Sequence, residues 1–201
     1  MSNFKLSNTT IEGLVIIEPK VHHDNRGYFL ESYNERSFEE IGLHAHFVQD
    51  NESLSARGVL RGLHFQINHP QGKLVRVSHG SVFDVAVDMR PQSKSYGRWF
   101  GIELSSENKK QLFIPEGFAH GFLTLSNTAV VCYKTTDYYW PGDEGGIYWA
   151  DPTLSIKWPI NYGLINCNNQ DSKTCCRESE LIISEKDQHW PLWRCKTVVF
   201  I

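Results

Sequence analysis

Apolar and polar positions alternate along much of this chain, which is the mark of half-buried strands rather than helices. Lys73-Leu74-Val75-Arg76-Val77-Ser78 alternates, and after His79-Gly80 the pattern resumes in Ser81-Val82-Phe83-Asp84-Val85-Ala86-Val87-Asp88. These runs predict two strands joined at a tight glycine turn. Further short runs follow at Trp99 to Leu104, Gln111 to Pro115, Gly121 to Leu125 and Val130 to Lys134. Strands recurring about every 8–12 residues predict a sandwich or barrel. The helices are expected to be short: one over Ser37 to Ile41 introduced by Asn34, with a further turn near Ser105 to Lys109. The expected fold is mainly β, a jelly-roll β-sandwich with a few short helices.

This rhythm breaks after Asn161. Residues 161–181 are polar and turn-rich, so the expectation is one domain over residues 1–201 with a surface insertion at about 161–181. The segment after it carries Trp190, Pro191 and Trp193 and finishes on Val198-Val199-Phe200-Ile201. Such an apolar tail is expected to pack on its own body or on a partner.

Composition narrows the function. With 40% apolar and 21% charged residues the chain has the make-up of an ordinary soluble domain. A net charge of -3 argues against a general nucleic-acid binder, so any bound anion needs a local cationic cluster. The first residues lack a basic stretch followed by an apolar one, and no apolar run nears the roughly 20 residues that span a bilayer. A cytoplasmic protein without membrane contact is expected. Cys132, Cys167, Cys175, Cys176 and Cys195 are odd in number and lack paired metal-site spacing. Reduced thiols are the expectation, with zinc or a disulfide within 167–176 as the alternative.

Three stretches set titratable residues densely between apolar runs: Asp24 to Glu31, Gln49 to Gln66, and Pro115 to Phe122. If Leu60-Arg61-Gly62-Leu63-His64-Phe65-Gln66 is a strand, Gly62, His64 and Gln66 share one face, with Leu63 and Phe65 on the other. His64, His120 and Tyr133 in one cavity raise the question of a metal. Metal-binding jelly rolls place two histidines two apart on a strand, but position 66 is Gln, a poor ligand for a transition metal. Without a metal, a His and a Tyr in a pocket point to general acid–base work. Each residue also has a plainer role open to it: His64 or Tyr133 as core, His120 as a brace, Arg26 with Glu31 as a surface ion pair. Their co-occurrence favours a site.

Those residues also carry a resemblance. Arg26-Gly27-x-Phe29-x-Glu31, Gln49-Asp50-Asn51, Leu60 to Gln66, Gln71-Gly72-Lys73, Ile114 to Gly121, Tyr133-Lys134 and Tyr138-Tyr139 run in the order found in dTDP-4-dehydrorhamnose 3,5-epimerases, from about Ile11 to Trp158. The resemblance implies a cupin-like, metal-free jelly roll that epimerises a dTDP-4-keto-6-deoxysugar without a cofactor. It implies His64 as base, Tyr133 as acid, Lys73 beside the enolate oxygen and Asp187 orienting the base. It further implies substrate contacts from Arg26, Phe29, Glu31, Gln49, Asp50, Asn51, Arg61, His120, Glu144 and Lys186, with Tyr139 stacked on thymine. A homodimer is implied, in which a partner supplies part of the nucleotide site. The excess length within 161–181 leaves Asp171 as a competitor to Asp187. The chemistry fits: epimerisation beside a ketone needs a base, an acid on the other face and a charge for the enolate. A single-carbon epimerase and a non-catalytic carbohydrate-binding jelly roll are the alternatives.

Overall fold

The computed structural model describes residues 3–161, 176–177 and 181–193. In chain order the first elements are β1 (Phe4–Asn8), β2 (Val15–Pro19), β3 (His22–Asp24), β4 (Gly27–Phe29), α1 (Glu35–Glu40) and β5 (Gln49–Ala56). Then come β6 (Val59–Gln66), β7 (Lys73–His79), β8 (Ser81–Asp88), β9 (Trp99–Ser105), β10 (Gln111–Ile114), β11 (Phe118–Thr124) and β12 (Thr128–Thr135). The last are β13 (Glu144–Gly146), β14 (Ile160–Asn161), β15 (Cys176–Arg177), β16 (Ile182–Ile183) and α2 (Glu185–Gln188).

The strands form two main sheets, one ordered β1-β2-β10-β7-β12-β5 and the other β13-β6-β11-β8-β9, with β16 alongside β6. The predicted pair β7 and β8 is joined at Gly80, as expected, but the two strands lie in opposite sheets. Gly80 has φ +73°, and a Cβ there would collide with Thr128 O, so only glycine lets the chain cross. Crossing between sheets at such corners makes the sandwich a jelly roll.

Strand parity sorts the core. Val75 and Val77 of β7 and Ala129 and Val131 of β12 meet Val82 and Ala86 of β8 and Phe118 and Phe122 of β11 between the sheets. The opposite parity of β8 and β11, with Leu60, Leu63 and Phe65 of β6, packs outward against Trp149, Leu154, Trp158 and Trp193. A third cluster covers the outer face of the first sheet, where Phe38 of α1 lies on Phe4, Ile17 and Leu74. The Asn34 side chain accepts from Ser37 N at 3.3 Å and starts α1. Burying a side chain such as Phe38 stabilises the fold by about 1.5–3 kcal/mol, more than a six-residue helix gains alone.

β3 and β4 form a separate exposed hairpin, an arm that the alternation pattern did not predict. Cys132 is a free, buried thiol. Cys167, Cys175, Cys195, Asp171 and the apolar tail lie outside the described residues, as does most of the expected insertion. Among the described residues no helix is long and apolar enough to cross a membrane.

Candidate active site

The site is built on an irregularity in β6. Leu60 pairs with Leu123 and Arg61 with Phe122, but His64 pairs with His120, so β6 holds one residue more than β11. Gly62, at φ +118°, takes up the extra residue as a bulge, and a Cβ there would lie 2.5 Å from Gly121 Cα. His64 keeps the expected face opposite Leu63 and Phe65, and the bulge interrupts the alternation before them. The bulge puts Leu60 with Leu63 and Phe65 in the outward core, which leaves Arg61 free to share the inward face with His64. Arg61 Nε reaches across to donate to Ser55 Oγ of the opposite sheet at 3.1 Å.

His64 is the centre of a bonded unit. Its Nε2 lies 2.6 Å from Asp187 Oδ1, and Asp187 also accepts from Gly62 N at 3.3 Å and Trp190 Nε1 at 3.1 Å. Burial pushes the Asp187 carboxyl up, but the His64, Gly62 and Trp190 donors and the imidazole charge outweigh it and hold it below the usual range. Ser184 Oγ accepts from Asp187 N at 3.1 Å, capping α2 and fixing that carboxylate. With Nε2–H committed to Asp187, the ring nitrogen left for chemistry is Nδ1, which lies 3.7 Å from Glu144 Oε1.

Lys73 and Tyr133 face this unit from the first sheet. Burial drives the Lys73 amine down to about 8, against the opposing pull of Asp84 and Glu144. Burial raises the Tyr133 phenol, Arg61 lowers it and Glu144 raises it, so all three share one space. His120 Nε2 donates to Asp84 Oδ2 at 2.9 Å on the second sheet.

A polar rim surrounds these groups. Gln49 donates to Asn51 Oδ1 at 2.9 Å and accepts from Tyr139 N at 3.0 Å. Asn51 Nδ2 is buried and has no protein partner among the described residues. Glu144 Oε2 accepts from Lys186 Nζ at 2.8 Å and from Tyr139 OH at 3.4 Å. Gln66 braces the rim. Its Nε2 donates to His69 O and Tyr138 O, and its Oε1 accepts from Trp140 N at 2.7 Å. The residue that breaks the metal-ligand pattern therefore has its whole amide engaged with backbone. Among the described residues no three His, Cys, Asp or Glu side chains converge to hold an ion.

Not every expected residue comes to this pocket. Arg26 is bonded to Asp24 at 2.6 Å on the exposed arm, and Phe29 beside it is 68% exposed. Glu31 accepts from Asn3 at 2.7 Å and Asn34 at 3.1 Å. Asp50 alternates to the outer face of the first sheet, where it pairs with Lys134 at 2.7 Å. It borders a cavity of about 40 Å³ with Arg76, Gln111, Cys132 and Tyr133.

Sequence reasoning passed over three residues. Asp84 carries a signal, a carboxylate at an inward position of an apolar strand. Trp190 stands edge-on to His64 at 6.1 Å, and Gly121 accommodates the bulge. Neither was legible without the pairing of distant segments.

An imidazole held by a carboxylate, with a phenol and a buried amine on the opposing sheet, suits proton transfer at a carbon next to a carbonyl. Comparison with known proteins agrees. Residues 8–194 match the family model described as dTDP-4-dehydrorhamnose 3,5-epimerase. The chain is 52% identical over 190 residues to the enzyme so named from Methanothermobacter thermautotrophicus, covering 94% of this chain and 95% of that one. It is 57% identical over 155 residues to that of Salmonella typhimurium, covering 76% and 85%. A crystal structure of dTDP-6-deoxy-D-glucose-3,5-epimerase from Legionella pneumophila, in complex with dTDP-4-keto-L-rhamnose, superposes with TM-score 0.83 at 46% identity, covering 94% of this chain and 92% of that one.

Proposed function

The chain belongs to the dTDP-4-dehydrorhamnose 3,5-epimerase family, and from that premise we propose how its pocket inverts two carbons of dTDP-4-dehydro-6-deoxyglucose. The product is dTDP-4-dehydro-L-rhamnose, a step of dTDP-rhamnose biosynthesis. C3 and C5 both flank the C4 ketone, so loss of either proton gives an enolate.

His64 Nδ1 takes the proton, because Nε2–H is bound to Asp187. Asp187 then stabilises the imidazolium that forms. The electron pair of the broken C–H bond moves toward O4, where the Lys73 ammonium stabilises the oxyanion more than it does the neutral ketone. Tyr133 returns a proton from the opposing sheet, which inverts the carbon, and solvent resets both groups. The single observation that supports this most is the 2.6 Å His64–Asp187 bond, which leaves one ring nitrogen toward a pocket shared with Tyr133 and Lys73.

Arg61, His120 and Lys186 hold the sugar and diphosphate, Gln49 and Glu144 add polar contacts, and Tyr139 stacks on thymine. The unpartnered Asn51 Nδ2 is a donor suited to a substrate oxygen. Arg26, Phe29 and Glu31 serve the nucleotide site of a partner in a homodimer. The exposure of Phe29 and the position of β5 as the last strand of its sheet support that assembly. The protein works in the cytoplasm without a cofactor or metal.

The test supplies the 4-keto sugar nucleotide with a reductase and NADPH and looks for dTDP-rhamnose. In deuterated water, label is expected at both C3 and C5. Label at one carbon makes this a single-carbon epimerase; no exchange leaves only a binding role.

A further inference from the structure

Asp84 is a carboxylate buried among valines, with 0% exposure. Its Oδ2 accepts from His120 Nε2 at 2.9 Å, and its Oδ1 has no protein partner among the described residues. A buried charge with a free oxygen opposes folding, and an apolar residue would suit the burial better. What the position gains must come from the field that the carboxylate makes.

That field reaches Lys73. The Lys73 side chain is buried, and among the described residues it has no ion-pair partner, so burial alone favours the neutral amine. The charged or titratable groups of the site are Asp84 on β8, Glu144 on β13, Arg61 and His64 on β6, His120 on β11, Tyr133 on β12, and Lys186 and Asp187 on α2, and of these Asp84 and Glu144 favour the Lys73 ammonium. Two of the carboxylates are already engaged with cations or with the catalytic ring. Glu144 Oε2 is bonded to Lys186, and Oε1 lies 3.7 Å from His64 Nδ1. Asp187 is held by His64, Gly62 and Trp190. Among the described residues Asp84 is bonded to the His120 ring alone, and of the two carboxylates that favour the Lys73 ammonium it has the larger effect.

We propose that Asp84 is a positioning residue of this site, fixing the His120 ring through Nε2 and holding the Lys73 amine as the ammonium that the enolate requires. The role assigned to Lys73 rests on the epimerase reading; the effect of Asp84 on its charge does not. The arrangement sets a fixed charge on one sheet to tune a titrating group on the other, with no reorganisation needed when the substrate arrives.

Asp84→Asn keeps the shape and an acceptor for His120 while removing the charge. Titration of Lys73 by ¹³Cε NMR in lysine-labelled protein reads the amine without turnover. The midpoint is expected to fall by about one pH unit or more from its wild-type value. The alkaline limb of kcat should fall with it, lowering kcat about fivefold or more at pH 8 with a smaller change in KM. In a Lys73→Arg background, whose guanidinium does not titrate, Asp84→Asn should move no limb.

An unchanged Lys73 midpoint overturns the proposal whatever the activity. A shifted midpoint in a protein that exchanges no deuterium into the sugar refutes the epimerase reading and leaves the charge coupling standing. If Asp84→Asn does not fold, Lys73→Met reports the same coupling from the other side, because linkage is reciprocal. Losing the ammonium should raise the Asp84 ¹³Cγ midpoint, and no rise overturns the proposal.

Discussion

His64 Nε2 lies 2.6 Å from Asp187 Oδ1, although 123 residues separate them in the chain. The carboxylate sets the tautomer of the ring as well as its orientation. Asp187→Asn replaces an acceptor with an amide that can donate to Nε2 and so turns the basic lone pair away from the substrate. The expected result is a fall in kcat of about 10⁴-fold with the fold intact, measured by coupled turnover and circular dichroism.

The pH profile should have an alkaline limb set by Lys73. Burial lowers its amine to about 8, so the ammonium is present below that pH and lost above it. Tyr133 is pushed the other way, above its ordinary 10, and does not set this limb. Lys73→Met should abolish the limb and lower kcat about 10²–10³-fold. For folding the sign is reversed. The native state binds this proton less tightly than the unfolded lysine of 10.5, so this group makes stability rise with pH between about 8 and 10.5. Denaturant titrations of wild type and Lys73→Met across that range check it.

Tyr133→Phe separates the two halves of each inversion. With the base intact, the proton still leaves and returns on the His64 side, so deuterium should still enter the starting sugar. Inverted product should fall about 10²–10⁴-fold. Equal loss of exchange and product would place Tyr133 in the first step instead.

Most of the sandwich was legible because a period of two needs only one strand to be read. The β7 and β8 runs, the Gly80 turn and the Asn34 cap all follow from local chemistry. The bulge at Gly62 was not legible, since it is a mismatch between β6 and β11, and no single strand contains it. It decides that Arg61 joins His64, against regular alternation. Asp187 was implied by the family resemblance, but its contact with His64 depends on how α2 docks. The exposed arm escaped because His22 to Phe29 is too short and polar to show a period. Asp50 was carried along with its neighbours in sequence, while alternation in β5 turns it away from them.

Gln66→Leu should act on binding more than on chemistry. It removes an amide that bonds the backbone at His69, Tyr138 and Trp140 and so fixes the loop bearing Tyr139. The stranded backbone groups should cost about 1–3 kcal/mol of stability. KM for the dTDP-sugar should rise several-fold with kcat little changed, as steady-state kinetics would show.

The bulge itself can be taken apart with three alanines. At Gly62 a Cβ meets Gly121 Cα at 2.5 Å and the backbone is at φ +118°, so contact and conformation both oppose substitution. At Gly121 no such φ applies, but a Cβ would lie 2.6 Å from Arg61 O, so contact alone acts. At Gly142, φ is +87° with nothing within 4 Å, so conformation alone acts. Strain of this kind costs about 1–3 kcal/mol, and a forced contact about as much again. Gly62→Ala should therefore destabilise by roughly the sum of the other two, since Gly142 is too remote to couple with the β6–β11 pairing. For a chain of this size each kcal/mol lowers Tm by about 2–4 °C, which calorimetry resolves. Activity should separate the variants further. Gly142→Ala should keep kcat, whereas a Gly62→Ala protein that still folds must relax the bulge, turning Arg61 or His64 away from the pocket. A folded Gly62→Ala enzyme with wild-type kcat would show that the parity switch in β6 is not what assembles the site.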